Sequence, residues 1–398
     1  MAAQHLSLMP RPDGAADLSV FTERLFGHLP RADQRRWAQS YLQGLLSTPG
    51  KKSVRRLAAA VSSSPTASQS LQQFINASPW EWEPAREALG RTVEAHTVPR
   101  AWTLAAAVLP KRGDHSCGVH RRFVPAVGRT INCQLGLSAF LSSGEEHLPV
   151  DWRLMLPEHW NEDARLRERT KIPDSARHRP LWAHALELVD ALTARTSLAP
   201  VPVVADMSGY LDAVPLVDGL STRGRDFVLA VPGSLQVLPG STRPSGPYHG
   251  APDPQRLMTA AHLLHQHSTR QPHTTTLTAD GHQRHVRIMS ALVRLPGARH
   301  TYRVFTEWRP TGRRPPRVWI SNMVDHRLNQ LSALARLRTG TDAVMDTLQQ
   351  DYGLLDFEGR SYPGWHHHMT LVSSAYAYSR LLAPARAPAP ALPLPHTA

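Results

Sequence analysis

The chain has 398 residues, enough for more than one domain and a sizeable core. Its 45 Lys and Arg outweigh 32 Asp and Glu, and the formal charge of +13 favours a polyanionic partner, nucleic acid first. The two cysteines, Cys117 and Cys133, form no CxxC pair, which argues against a zinc ribbon or a disulfide framework; no apolar run nears the roughly 20 residues that span a bilayer, so a soluble, cytoplasmic protein with no membrane partner is expected.

Residues 1–17 are polar, with Pro, Gly and Asp, and read as a disordered leader. Residues 18–98 read as helical. RADQRRWAQSYLQGLL places Trp37, Tyr41, Leu42 and Leu45 on one face. SVRRLAAAV and QSLQQFI, separated by the small polar SSSPTAS, resemble a helix-turn-helix. In that reading Arg55 and Arg56 lie near a duplex backbone, and Gln72 and Gln73 near base edges; a plain helical bundle is the alternative.

Residues 99–231 alternate strand and helix, the mark of an α/β core. TLAAAVL and RTINCQLGLSAF read as strands, linked through a basic segment. Lys111, Arg112, Arg121 and Arg122 in this region are candidates for phosphate contacts, as are Arg313, Arg314 and Arg317 of GRRPPR. RPLWAHALELVDALTAR is an amphipathic helix, VPVVAD a short apolar strand ending at Asp206, LDAVPLVDGLSTRG a helix and DFVLAVP a strand. Residues 232–300, rich in Pro, Gly, Ser, Thr and His, break the pattern, and 301–382 return to strands and then helices. The end, 383–398, is Pro/Ala-rich and reads as an extended, disordered tail.

Six strings in this layout resemble one family. They are QSLQQFINASPWEWEPAR, INCQLGLSAF, DWRLMLPEHW, KIPDSARHRPLWAHALELVD, VPVVAD and GLLDFEGRSYPGWHHHMTLV. Together, from about residue 20 to about residue 382, they resemble the DDE transposases of the insertion-sequence seven-oh-one family. The resemblance implies an α/β, ribonuclease H-like core behind a helical N-terminal domain, with a β-rich insertion at 232–300. It implies double-stranded DNA as partner and leaves a homodimer open. It also implies in-line chemistry at two divalent metals held by three carboxylates, with magnesium as the cofactor of an active member.

The acidic positions depart from that pattern. Where the family carries Asp-Asp-Thr after an apolar strand, this chain has Ala105, Ala106 and Ala107, although Trp102 and Leu109 to Gly113 keep the flanks. The second acid is kept as Asp206. The third falls on Asp342, in RTGTD, where the family has Arg-Trp-x-Ile-Glu; Arg338 matches. Asp is one methylene shorter than Glu, and Gly340 reads as a loosening of the helix. The triad is therefore reduced to Asp206 and Asp342, which serve as metal ligands only if activity is retained.

The expectation is a transposase-like DNA-binding protein deficient in strand cleavage and transfer, domesticated or decayed, which needs no cofactor. One alternative is an active metal-dependent transposase or nuclease with a rearranged site, for which Asp114 is a substitute acid. Another is a transposase scaffold recruited to small-molecule chemistry in the former acidic cleft.

Overall fold

The computed structural model describes residues 14–207, 209–240, 257–268, 273–279, 282–308 and 317–383. The Pro/Ala-rich tail from residue 384, most of the expected leader, and Arg313 and Arg314 lie outside the described residues.

Five helices come first: α1 (Gly14–Phe26), α2 (Ala32–Ser47), α3 (Val54–Val61), α4 (Ala67–Asn76) and α5 (Glu83–His96). The first of them begins at Gly14, inside the stretch expected to be a leader. Leu25, Phe26, Tyr41, Leu42, Leu57, Leu71 and Phe74 are buried, at helical spacing within each helix. The α3 and α4 helices are joined by residues 62–66, whose Ser, Pro and Thr end one helix and open the next.

The sheet begins with β1 (Ala101–Pro110), β2 (His120–Val124), β3 (Arg129–Ser142) and β4 (His147–Leu154). Helices α6 (Glu158–Glu162), α7 (Ala164–Thr170) and α8 (Leu181–Arg195) lead to β5 (Val203–Ala205), then α9 (Ala213–Thr222) and β6 (Phe227–Val231). Both β5 and β6 are apolar and buried at every position, as strands covered on both faces must be. β3 is antiparallel to both β1 and β4, while β5 runs parallel to β1 and β6 parallel to β5. The order β4-β3-β1-β5-β6, with helices crossing between the parallel strands, is a ribonuclease H-like topology.

The sheet then continues past β6. The added elements are β7 (Gln236–Pro239), β8 (Met258–Thr259), α10 (Ala260–Ser268), β9 (His273–Ala279), β10 (His282–Arg294), β11 (Thr301–Trp308) and β12 (Val318–Ser321). β12 pairs antiparallel with β6, β11 with β12, and β10 with β11. The β10–β11 hairpin straddles residue 300, so the added β layer runs on beyond the boundary read from composition.

Two long helices are the last elements among the described residues, α11 (Leu328–Gln350) and α12 (Tyr362–Leu381). Leu331, Ala335 and Leu337 of α11 pack on Ala101, Val204 and Val228 across one face of the sheet. Gly340 does not interrupt α11, which is helical throughout. A Cβ at Gly340 would lie 2.0 Å from His147 Nε2, so the glycine is there because β4 approaches the helix closely.

The N-terminal helices are fixed to this core by Arg86, whose side chain is buried. It donates to Thr370 Oγ1, Asp151 Oδ1, Trp152 O, His366 Nδ1 and His366 O. All five guanidinium donors are thereby used. Asp151 also receives Arg153 and Arg195, and although burial alone would raise it, these three arginines hold its carboxyl below the usual range. His366 stacks on Trp82 and His367 on Trp80. The aromatic strings that carry the family resemblance are thus packing between the first helices and α12.

Candidate functional site

The face of β1 that looks toward α11 is marked by Thr103, whose Oγ1 lies 2.6 Å from Thr341 Oγ1 and 2.8 Å from Ser142 Oγ. His147 Nδ1 joins this buried group at 2.8 Å from Ser142 Oγ. Side chains alternate along a strand, so Ala105 shares the face of Thr103 and Ala106 takes the opposite one. The parallel register pairs Leu104 with Ala205. One residue further on, Ala105 comes level with Asp206, at the carboxyl end of β5, where open α/β sheets place their ligands.

Asp206 and Asp342 are brought together there. Arg338, one turn before Asp342 on α11, places Nη1 2.8 Å from Asp342 Oδ2 and 3.4 Å from Asp206 Oδ2. Arg317, just before β12, places Nε 2.7 Å from Asp206 Oδ2. The Asp206 side chain is only 4 % exposed, while Asp342 is 41 % and Arg317 48 % exposed. The carboxylate of Asp206 thus lies beneath the guanidinium groups. Burial pushes the Asp342 carboxyl up from its ordinary value; Arg338 opposes this and Asp206 adds to it.

Three carboxylates can hold two divalent cations roughly 3.5–4 Å apart. The side chains here do not fit that arrangement. Ala105, expected at the first acidic position, offers a methyl group, and Arg338 bridges Asp206 and Asp342. Among the described residues no three His, Cys, Asp or Glu side chains are grouped to hold a metal ion. Asp114, the substitute read from sequence, lies exposed in the loop beyond Pro110; at about 3.3 Å per residue, Pro110 is itself roughly 16 Å along the strand from Ala105.

The remaining candidates divide into exposed and internal groups. Arg55 and Arg56 on α3, Gln72 and Gln73 on α4, and Arg112 and Arg121 are exposed. Lys111 is not available to a phosphate: Nζ donates to Phe357 O at 2.6 Å, and burial pushes its pKa down to about 8. Arg122 is half-buried, with its guanidinium 5.6 Å from the centre of the Tyr210 ring and Nη2 donating to Tyr210 O at 2.9 Å. That contact ties the β2–β3 hairpin to the loop that follows Asp206.

The Arg338–Asp342 pair is legible in RTGTD as an i, i+4 spacing. The partner of Arg317 is not, because Arg317 reaches Asp206 only after the chain has passed through β7 to β11.

Residues 24–295 match the family described as DDE superfamily endonuclease. A solved structure of piggyBac transposase, in a synaptic complex with hairpin DNA, aligns over 92% of this chain and 71% of that chain, at 12% identity and a TM-score of 0.42. No curated protein matches the chain. Among the described residues no helix is long and apolar enough to cross a membrane.

Proposed function

From the premise that this chain belongs to the DDE superfamily endonucleases, we propose that it is a transposase-like protein that binds double-stranded DNA and is deficient in strand cleavage and transfer. The observation that carries this reading is the pairing of Asp206 and Asp342 with Arg338 and Arg317, beside a methyl group at Ala105. Two-metal catalysis needs its carboxylate oxygens free to bridge cations. Here a cation would have to displace Arg338 from both carboxylates and would still lack a ligand from β1.

DNA binding is supported by the charge of +13 and by exposed Arg55, Arg56, Gln72 and Gln73 on two short consecutive helices. Arginine at the duplex backbone supplies salt-dependent affinity, and glutamine at base edges supplies selectivity. Magnesium has no role in this function.

The test is a binding titration of the purified protein with random and genomic duplex DNA, across a salt series and with magnesium present. Bound, intact DNA supports the proposal. DNA that is not bound above weak salt-sensitive attraction contradicts it.

A further inference from the structure

We propose that the cleft over Asp206 is a phosphodiester-binding site in which Arg317, Arg338 and Arg122 take the place that metal ions hold in a two-metal enzyme. The inference rests on the reading of the chain as a duplex-DNA binder and assigns a contact that the α3–α4 helices do not make.

The charge balance is the first argument. Two carboxylates, Asp206 and Asp342, face two guanidinium groups in direct contact. Arg122 adds a third positive charge across Tyr210. These five side chains carry one net positive charge, and Asp346, one turn further along α11, adds a negative charge that bears on Asp342. A phosphate diester, with its single negative charge, is drawn to the half-exposed Arg317 guanidinium.

The layering is the second argument. Asp206 is buried at the bottom, and Arg317 is half exposed above it. A guanidinium has five N–H donors in a planar fork. Arg317 turns Nε toward Asp206, which fixes the plane of its fork. Asp206 then acts as a positioning residue: it orients arginine side chains that would otherwise lose rotamer freedom on binding. Guanidinium is the group best matched to phosphate oxygens, because paired N–H donors reach two oxygens at once.

The location is the third argument. The site lies at the carboxyl end of β5, level with the middle of β1, between the β2–β3 hairpin and α11. Arg129 of the hairpin is exposed and, paired with Val124, shares the face of Arg122, so a backbone seated on Arg317 and Arg338 runs on toward a further positive charge.

The 398-residue chain is titrated with a duplex oligonucleotide across a salt series, once with magnesium and once with a chelator. Affinity should be the same in both. Arg317→Ala, which leaves Arg338 on Asp206 and so keeps the carboxylate paired, should make the slope of log affinity against log salt shallower by about one. The Arg317→Ala/Arg338→Ala pair should make it shallower by about two, and Arg317→Lys should retain the slope because it keeps the charge. Arg55→Ala/Arg56→Ala should weaken binding whether or not Arg317 is present. An unchanged slope in Arg317→Ala, with tight binding by the parent and weakening by the helix variant, would overturn the cleft site and leave the DNA-binding reading standing. Loss of affinity on chelation would overturn the cleft site as well. Failure of the parent to bind duplex at all would overturn both.

Discussion

Arg338 Nη1 lies 2.8 Å from Asp342 Oδ2, one helical turn away on α11, and the same nitrogen reaches back toward Asp206. A single cationic side chain thus holds two carboxylates that belong to different elements, at the point where Ala105 supplies no third. This relationship decides how the cleft responds to an added acid. Ala105→Asp would place a third carboxylate beside a buried one, and like charges disfavour ionisation of both. The variant should melt at a lower temperature than the parent. Millimolar magnesium or manganese should raise the melting temperature of the variant and leave the parent unchanged, because only a ligand that binds the folded state stabilises it. Thermal melts with and without metal read this directly; stabilisation of the parent by metal would show that the remnant pair is a metal site already.

The junction between the first helices and the core depends on Arg86. Its five donors and the carboxylate of Asp151 are buried together. Arg86→Leu removes the cation and leaves Asp151 with only its two partly exposed arginines. Breaking a buried pair from one side costs about 3–5 kcal/mol. The urea midpoint should fall accordingly, and a change under about 1 kcal/mol would mean that the pair behaves like a surface bridge.

Gly340 offers a test of packing against propensity. Alanine in a helix interior ordinarily gains about 1 kcal/mol over glycine. Here the added Cβ would meet His147 Nε2 at 2.0 Å, so Gly340→Ala should destabilise, by about 1–3 kcal/mol as overpacked cores do. A stabilised variant in chemical denaturation would contradict the close approach of β4 to α11.

Acid should weaken the fold through the buried histidines of α12. His368 Nδ1 accepts from Tyr41 Oη, and its Nε2 donates to Gly353 O. Burial pushes its pKa down to about 4. Burial also holds His366 well below its ordinary value, with Arg86 adding to the effect. Both rings are neutral when folded and titrate near 6.5 when unfolded, so the unfolded chain binds more protons below that pH. Through His368, stability should fall as pH drops from about 6.5 to about 4, by about 1.4 kcal/mol per pH unit, and His366 acts in the same direction. His368→Gln should flatten the dependence of unfolding free energy on pH; an unchanged slope would assign the acid sensitivity elsewhere.

The core was readable where one strand or helix carries its own pattern. The apolar runs at β5 and β6 and the helical faces of α2 and α8 announce themselves by burial period. Asp206 at the end of VPVVAD and Asp342 on α11 could be placed as a pair because the resemblance supplied their order. What tertiary contact decides was not readable. Gly340 looked like a weakness in a helix until His147 was seen against it. Lys111 looked like a phosphate contact, yet it is turned inward onto Phe357 O. Arg317 stood in a basic loop with no sign that Asp206 lay beneath it, because the pairing depends on how the added strands fold back onto β6.

Binding of duplex DNA without cutting it is the proposed function. Its most direct test is to incubate the purified protein with supercoiled plasmid and duplex DNA in magnesium and in manganese, at salt concentrations where binding is established, and to resolve the products on denaturing gels. Bound DNA with no nick and no joined product is the expected result. Metal-dependent nicking that disappears in Asp206→Asn or Asp342→Asn would contradict it and would show that the arginine-paired carboxylates still gather metal ions.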